Sequence, residues 1–594
     1  MTSIAHYPLD PCRADLGEKI YAGLCKLVPQ GTSPSLTAIE IGRLLEQPPD
    51  TKMGDYALPC FRFAKDTKKK PNEVAESLAS TLATSGWLDK CQTVGAFLNI
   101  FTNKEMLAKT TIPNALSGDW FSLMAKNESN NQCRVMIEYS QPNTHKEFHV
   151  GHGRNVCLGN ALVRLFRYCG YNVLAANYYG DDGAHIARIL RYVKANKLVA
   201  PKEHRGEWLG QIYVKAGQEF SAATDEEKQK ITAQISEVHR DIETKHGETF
   251  KLWENTRQWS LDDFAEIYKW LDVNFDILFY ESELTEESQA TVSEYLKKGT
   301  FIEDQGAIGV DLKPYKLGFC ILRKSDGNTL YATKDLALAK RKFENYKIDR
   351  SIYVVADEQN HHFRQVFKVL ELMGFAQAKL CYHLSYGMVV LPEGKMSSRD
   401  GTSVTFNSLK SLMLIHLGEI LIKYENDWQP AEIAETAQRL CDGAIKYGMI
   451  STDPSKEIVF NLEDWLSFEG NSGPYLMYSY TRTKSILRKA GEQGFKASSD
   501  KPELLTEASE HDLLRYIYDI NTVVAVACEH YKPSSVAIHL FYMCKSFNRF
   551  YADVSVLKAD SDDLRSARLA LIQSFANALS TGLSLLGIVA PERM

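Results

Sequence analysis

No stretch of this 594-residue chain approaches about 18 consecutive apolar residues, so no membrane-spanning helix is expected. Residues 1–19 alternate polar and apolar positions and lack the charged start and apolar block of a secretory signal. Close cysteine pairs are missing too. The 12 cysteines are scattered singly, and neither CxxC nor HExxH occurs, which removes the usual zinc frameworks. Several of them, Cys157 and Cys528 for example, fall in apolar helical patterns and read as buried free thiols in a reducing cytoplasm. There is no excess of positive charge. Lys and Arg number 69 against 75 Asp and Glu, a net charge of −6. Even residues 470–594 carry 14 basic against 13 acidic side chains, so any RNA site has to be a local patch. No repeat recurs at solenoid spacing. What remains, 44% hydrophobic and 24% charged, is the composition of a soluble globular protein with length for three or four domains.

The most informative segment is Lys146-Glu147-Phe148-His149-Val150-Gly151-His152. It follows an apolar run, 134–140, that reads as a buried strand, and it opens an amphipathic pattern, 153–169, that reads as a helix. A strand, a tight His/Gly turn and a helix start make an anion site, because free N–H groups and the helix dipole face the turn. Gly151 lets a flat ligand approach the backbone. Alone, a pair of histidines in a turn is weak support for a nucleotide. A second loop strengthens it. The predicted strand 386–390 runs into Leu391-Pro392-Glu393-Gly394-Lys395-Met396-Ser397-Ser398-Arg399, a Gly-flanked, basic, hydroxyl-rich segment suited to clamping phosphates.

The two segments resemble the HIGH and KMSKS signatures of class I aminoacyl-tRNA synthetases, here HVGH and KMSSR. The resemblance narrows to the arginyl-tRNA synthetases. Glu138-Tyr139-Ser140-Gln141-Pro142-Asn143 is similar to the segment that precedes HIGH in that family. Tyr331 to Asp335 resembles its Y-x-T-x-D element, Gln359 to Phe363 its Q-x-x-H-F element, and the tail from Gly587 to Met594 its C-terminal ending. The likeness spans nearly the whole chain in the family's order.

That resemblance implies an α/β fold: a class I Rossmann-type parallel sheet with an insertion, an N-terminal α/β module and a C-terminal all-α bundle. The expected division is 1–115, 116–410 with the insertion at about 181–330, and 411–594. Residues 117–132, rich in Asn and Ser, read as a linker, and 381–390 as one strand. Alternating strands and helices predict a parallel sheet with the ligand at its carboxyl ends, at the switch point between the halves. Most aromatics of the C-terminal bundle are expected in its core.

The implied reaction joins L-arginine to tRNA(Arg) in two steps, through arginyl-adenylate, with ATP as cosubstrate and Mg²⁺ held by phosphates and water. Lys146, His149, His152 and Lys395 are the implied catalytic groups. Gly151, His362, Gly387, Met388, Met396 and Ser397 join His149, His152 and Lys395 around ATP. Glu138, Gln141, Asn143, His152, Tyr331, Asp335 and Gln359 are implied at arginine, whose flat permanent cation suits carboxylates. Taken alone, Asp335 in a Lys-rich helix reads as a solvated charge. Lys68, Lys69, Phe468, Gly470, Tyr475 and Arg549 are the implied tRNA contacts. A monomer is expected, with no bound structural metal. The chain departs from the family pattern twice. Ser398 replaces the second lysine of KMSKS, and Lys146 is placed to supply that charge from the other side. Asp182 replaces the aromatic of G-D-W-G, which puts local packing in question. Other readings are another class I synthetase, a small-molecule nucleotidylyltransferase, and a non-catalytic tRNA-binding paralogue.

Overall fold

The computed structural model describes residues 10–48, 51–126, 128–245, 247–325, 330–390 and 404–594. Its centre is a five-stranded, all-parallel sheet. In chain order the strands are β1 (Arg134–Glu138), β2 (Asn172–Tyr179), β3 (Ile277–Tyr280), β4 (Arg350–Ala356) and β5 (Cys381–Tyr386). In space they run β5-β4-β1-β2-β3. The chain leaves β1 toward one edge and returns to β4 on β1's other side, so the switch point lies between β1 and β4. Both strands are apolar because helices cover both faces. Val135, Met136, Ile137, Ile352 and Val354 are wholly buried.

Helix α1 (Val150–Tyr168) follows β1 and packs on the sheet through Gly159, where a Cβ would stand 2.2 Å from the Tyr139 ring. It begins three residues earlier than the periodicity predicts, because the HVGH turn is itself its first turn. The stretch 181–330, expected as one insertion, gives β3 to the sheet edge and is thereby split. Helices α2 (Ala184–Ala195), α3 (Arg205–Ala222), α4 (Asp225–Glu243) and α5 (Gly247–Trp270) precede β3. A small antiparallel sheet (Ile302–Asp304, Ala307–Asp311, Phe319–Arg323) follows it. Helices α6 (Tyr331–Tyr346) and α7 (Asn360–Leu372) flank β4.

Two other expectations are corrected. The predicted strand 381–390 stops at Tyr386. Val389–Val390 leaves the sheet and pairs in parallel with Ile458–Val459. The break falls at Gly387, which crosses the 454–457 segment so closely that a Cβ would meet the Lys456 backbone at 2.7 Å. The Asn/Ser-rich stretch is no loose linker either. Trp120 and Met124 anchor it in the core, and the Trp120 ring lies 5.1 Å from that of Tyr518. Composition hides the two apolar anchors among polar neighbours.

Helices Pro430–Ile450, Gly473–Glu492, Ala508–Glu529, Pro533–Asp553 and Asp562–Leu585 form the C-terminal bundle. The N-terminal module carries its own three-stranded antiparallel sheet (Tyr56–Pro59, Leu88–Val94, Phe97–Thr102). It docks on helix Ala508–Glu529. The Tyr518 hydroxyl donates to Asp10 at 2.7 Å and accepts from the Cys12 N–H at 3.0 Å, while Arg515 lies 4.1 Å over the Tyr56 ring.

Candidate active site

The HVGH turn sits at the carboxyl end of β1, where the switch point opens a crevice. His149 caps α1, and its N–H donates to His152 Nδ1 at 3.2 Å. That fixes the His152 proton on Nε2, which becomes the donor offered to a ligand. The two imidazoles stack with centroids 3.8 Å apart. Burial, reinforced by the Lys146 charge, pushes His149 down to about 4. Burial pushes His152 well below its ordinary value, helped by His149 and Lys146. Both rings are therefore neutral at pH 7 and offer N–H groups without charge. Lys146 places a positive charge beside them.

Both flanks of the basic loop are tied to the same turn. The Val150 N–H donates to the Val404 carbonyl at 3.2 Å, and the Phe406 N–H to that of Phe148 at 2.8 Å. On the other flank, the buried Arg154 of α1 donates to the carbonyls of Gly387, Met388 (3.2 Å), Pro454 (3.3 Å) and Lys456 (2.8 Å). Met388 reaches within 4.0 Å of where a Cβ on Gly151 would stand. Lys395, Met396 and Ser397 lie outside the described residues, but the chain departs at Val390 and returns at Val404 beside His149.

The segment between β1 and the turn is strained. Ser140, Gln141 and His145 have φ of 77°, 49° and 66°. Such left-handed residues cost about 1 kcal/mol or more each. Dedicated side-chain acceptors offset this. Ser140 N–H donates to Asn155 Oδ1 (2.6 Å), Gln141 N–H to Asn177 Oδ1 (3.0 Å) and His145 N–H to Ser260 Oγ (2.9 Å). The segment sets Asn143 against Gly180 at the end of β2, where a Cβ would lie 2.1 Å from Asn143 Oδ1.

Beyond Asn143 the crevice turns acidic. Burial raises the Tyr178 hydroxyl well above its ordinary value, and the carboxylates of Glu281, Asp335, Glu138 and Asp181 raise it further. Three of these four acids have a cationic partner within the protein. Glu138 pairs with Lys342 at 2.6 Å and accepts from Gln141 Nε2 at 3.0 Å. Asp181 pairs with Arg257 at 2.7 Å, and Glu281 with Lys334 at 3.1 Å. Asp335 has no Lys or Arg partner among the described residues. Its Oδ2 meets His362 Nε2 at 2.6 Å. Burial lowers His362, but the Asp335 hydrogen bond and charge outweigh it and raise the ring above its usual value. His362, expected at ATP, is thus engaged by the acid expected at arginine. Tyr331 stands one turn before Asp335 on α6 and is 59% exposed. Gln359 is exposed on the rim beyond β4.

Comparisons with known proteins agree with this arrangement. Residues 111–462 match the family described as tRNA synthetases class I (R), catalytic domain. Residues 476–594 match the DALR anticodon binding domain, and 19–102 the arginyl tRNA synthetase N terminal domain. The chain belongs to the class I arginyl-tRNA synthetases. An arginine–tRNA ligase of Bdellovibrio bacteriovorus is 41% identical over 573 residues, covering 94% of this chain and 96% of the relative. One of Halothermothrix orenii is 35% identical, covering 94% and 97%. The Thermus thermophilus arginyl-tRNA synthetase structure superposes with a TM-score of 0.80 at 28% identity, covering 98% of this chain and all of that one.

Within this synthetase the Asp182 departure has a clear structural account. Asp182 is buried yet fully engaged, by Lys334 at 2.6 Å, His239 at 3.0 Å and the Gly183 N–H at 2.7 Å. A polar network replaces aromatic packing, and through His239 it ties α4 to the crevice. The sequence flagged Asp182 but gave no sign of Lys334, His239 or Glu281 as its partners. The Asp182 hydrogen bond raises His239 above its ordinary value, against burial. A folded-state pKa raised above the unfolded one contributes stability that is full below about 6.5 and is lost as pH rises through the folded value. His239→Asn is therefore expected to lower Tm more at pH 6 than at pH 9. Equal losses at both pH values would refute this account of the contact.

The implied tRNA contacts are dispersed. Lys68 and Lys69 are exposed at the start of the helix Pro71–Thr81, and Lys69 donates to Ser77 Oγ at 3.2 Å. Arg549 is exposed between Asp512 (3.2 Å) and Asp553 (3.5 Å). Phe468 and Gly470 are half-buried. Tyr475 is buried and accepts from Asn548 Nδ2 at 2.9 Å. Phe547 is core, stacked 4.4 Å from Phe575.

Proposed function

We propose that this chain is an arginine–tRNA ligase that uses ATP to activate L-arginine and passes it to the 2′-hydroxyl of the terminal adenosine of tRNA(Arg). The observation that carries the reading is the meeting of three things at one switch point: the HVGH turn, both flanks of the basic loop, and the acidic crevice at Tyr178. In the first step a carboxylate oxygen of arginine bonds to the α-phosphorus while the bond to the β-phosphate breaks, and pyrophosphate leaves with that electron pair. His149 and His152 donate neutral N–H groups to the nucleotide, with Gly151 leaving it room. Gly387 and Met388 form the floor, and Lys146 and Lys395 supply charge. Asp335 takes the guanidinium and Tyr331 covers it. Asn143 and Gln359 hold the amino and carboxylate groups. Glu138, held by Lys342 and by Gln141, shapes the wall with Gln141 instead of meeting the substrate's charge.

Mg²⁺ arrives with the nucleotide, held by phosphate oxygens and water. Asp181, Asp182 and Glu138 are committed to Arg257, Lys334 and Lys342 and are not available to cage it. Residues 1–115 reach the tRNA elbow through Lys68 and Lys69, and 411–594 bind the anticodon arm through surfaces near Phe468, Gly470, Tyr475 and Arg549. The protein works as a cytoplasmic monomer, in keeping with its 12 free cysteines. No helix among the described residues is long and apolar enough to cross a membrane.

Aminoacylation with each of the twenty amino acids and total tRNA tests the reading. Arginine alone should be charged. Charging of another amino acid overturns the substrate assignment. A tRNA gel shift without any charging identifies a non-catalytic binder.

A further inference from the structure

Cations around the crevice are nearly all spoken for. Lys334 and Lys342 meet carboxylates, Arg257 meets Asp181, and Arg154 meets four carbonyls. Lys146 and Arg188 differ: neither has an ion pair or a hydrogen bond among the described residues. Both rest on one ring: Lys146 Nζ lies 5.0 Å and Arg188 Cζ 5.5 Å from the Tyr213 centroid. The Arg188 Nε is fully buried and unpartnered, and so is the Nε2 of His185, which lies one turn before Arg188 on the same face of α2. A cation–π contact is a weak return for two half-buried charges that give up part of their water without a counter-ion. In a chain of net charge −6, acids were available to fill this place. Asp182, whose charge acts on His185, is already held by Lys334 and His239. Two cations without counter-ions over one aromatic ring, with two orphaned buried nitrogens on one face of α2, describe an anion seat.

We propose that Lys146, Arg188 and Tyr213 form the seat of the departing pyrophosphate, with Arg188 as a catalytic residue that touches it; the inference rests on the ligase reading above. The seat adjoins the HVGH turn, because Lys146 lies three residues before His149. The chemistry calls for it as well. When the α-phosphorus bonds to the arginine carboxylate oxygen, the electron pair of the breaking bond moves onto the pyrophosphate, so charge grows there in the transition state. The sequence of the basic loop is one cation short, with Ser398 where the family has lysine. Lys146 restores one charge as a point. Arg188 adds a planar fork that meets two phosphate oxygens at once. The neutral Nε2 of His185 lies on the same side, and Tyr213 holds both cations in place while the site is empty.

Full-length Arg188→Met and Arg188→Lys variants test this in arginine-dependent ATP–pyrophosphate exchange with tRNA present, alongside steady-state aminoacylation. Arg188→Met should raise the KM for inorganic pyrophosphate or lower the exchange kcat by about 10²-fold, as loss of one transition-state donor does. KM for tRNA and for arginine should stay within about twofold. Arg188→Lys, which keeps the charge and loses the fork, should fall between Arg188→Met and the wild type. Unchanged pyrophosphate kinetics in both variants would overturn the proposal. A change confined to KM for tRNA would overturn it too, and would give the two cations to RNA phosphodiesters. The wild-type charging assay is independent of both variants, so failure of the ligase reading is recognised separately.

Discussion

Asp335→Ala is expected to raise the KM for arginine by two to three orders of magnitude while leaving the fold intact. A guanidinium keeps its charge at every working pH and, once desolvated, needs a carboxylate. Four acids lie close enough to Tyr178 to raise its hydroxyl, and three of them are neutralised by Lys342, Arg257 and Lys334. Of the four, Asp335 has no Lys or Arg partner among the described residues; its partner is an imidazole. Removing one member of a buried, hydrogen-bonded charge pair costs about 2–5 kcal/mol, or roughly 30- to 5,000-fold in affinity. Asp335→Asn keeps the shape and should lose almost as much, which separates charge from packing. His362→Gln, which removes only the orienting contact, should cost less. Arginine KM from tRNA-dependent exchange, with a thermal melt of each variant, decides the matter. An Asp335→Ala enzyme whose arginine KM moves less than threefold would remove Asp335 from the pocket.

The HVGH turn could be picked out as a candidate site because strand, turn and helix are local in the sequence. Strand, His/Gly turn and helix follow one another within 134–168, and backbone geometry alone makes the junction an anion site. The basic loop stood out in the sequence for the same reason, and the structure adds that its flanks at Met388 and Val404 close on that turn. Asp335 became a candidate only through family resemblance, because its Lys-rich surroundings read as a solvated face. In fact Lys334 and Lys342 on that helix are buried, each turned inward onto an acid from another strand or turn. No sequence period reports such pairings, since they depend on how α6 lies across β1 and β3. The same limit hid Tyr178, which reads as an ordinary strand residue, and Trp120, an apolar anchor within a polar stretch. Arg188 escaped notice because i,i+3 spacing from a histidine carries no signal until Tyr213 arrives from another helix.

Lys334→Met should produce the largest loss of stability of any single change near the site. Lys334 is buried and holds two buried acids, Asp182 at 2.6 Å and Glu281 at 3.1 Å. Taking away the shared cation leaves two carboxylates facing each other in a low-dielectric region, a change that typically costs about 3–5 kcal/mol. One process limits the damage. Burial already pushes Glu281 up to about 7, with Lys334 opposing the rise. Without that lysine, Glu281 takes up a proton at neutral pH and sheds its charge. The sign of the pH dependence follows. An acid whose folded pKa is raised above its unfolded value contributes stability at low pH that is lost as pH climbs through the folded value. The Tm deficit of Lys334→Met should therefore be smaller at pH 6 than at pH 8.5. Adding Glu281→Gln should recover part of the deficit at pH 8.5 and little at pH 6. Because Lys334 neighbours Asp335 on α6, the variant's arginine KM should rise along with the loss of stability, and Glu281→Gln should restore both together. A deficit that ignores pH, or a double variant no better than the single one, would show that the cation stabilises this region by some route other than neutralising the two acids.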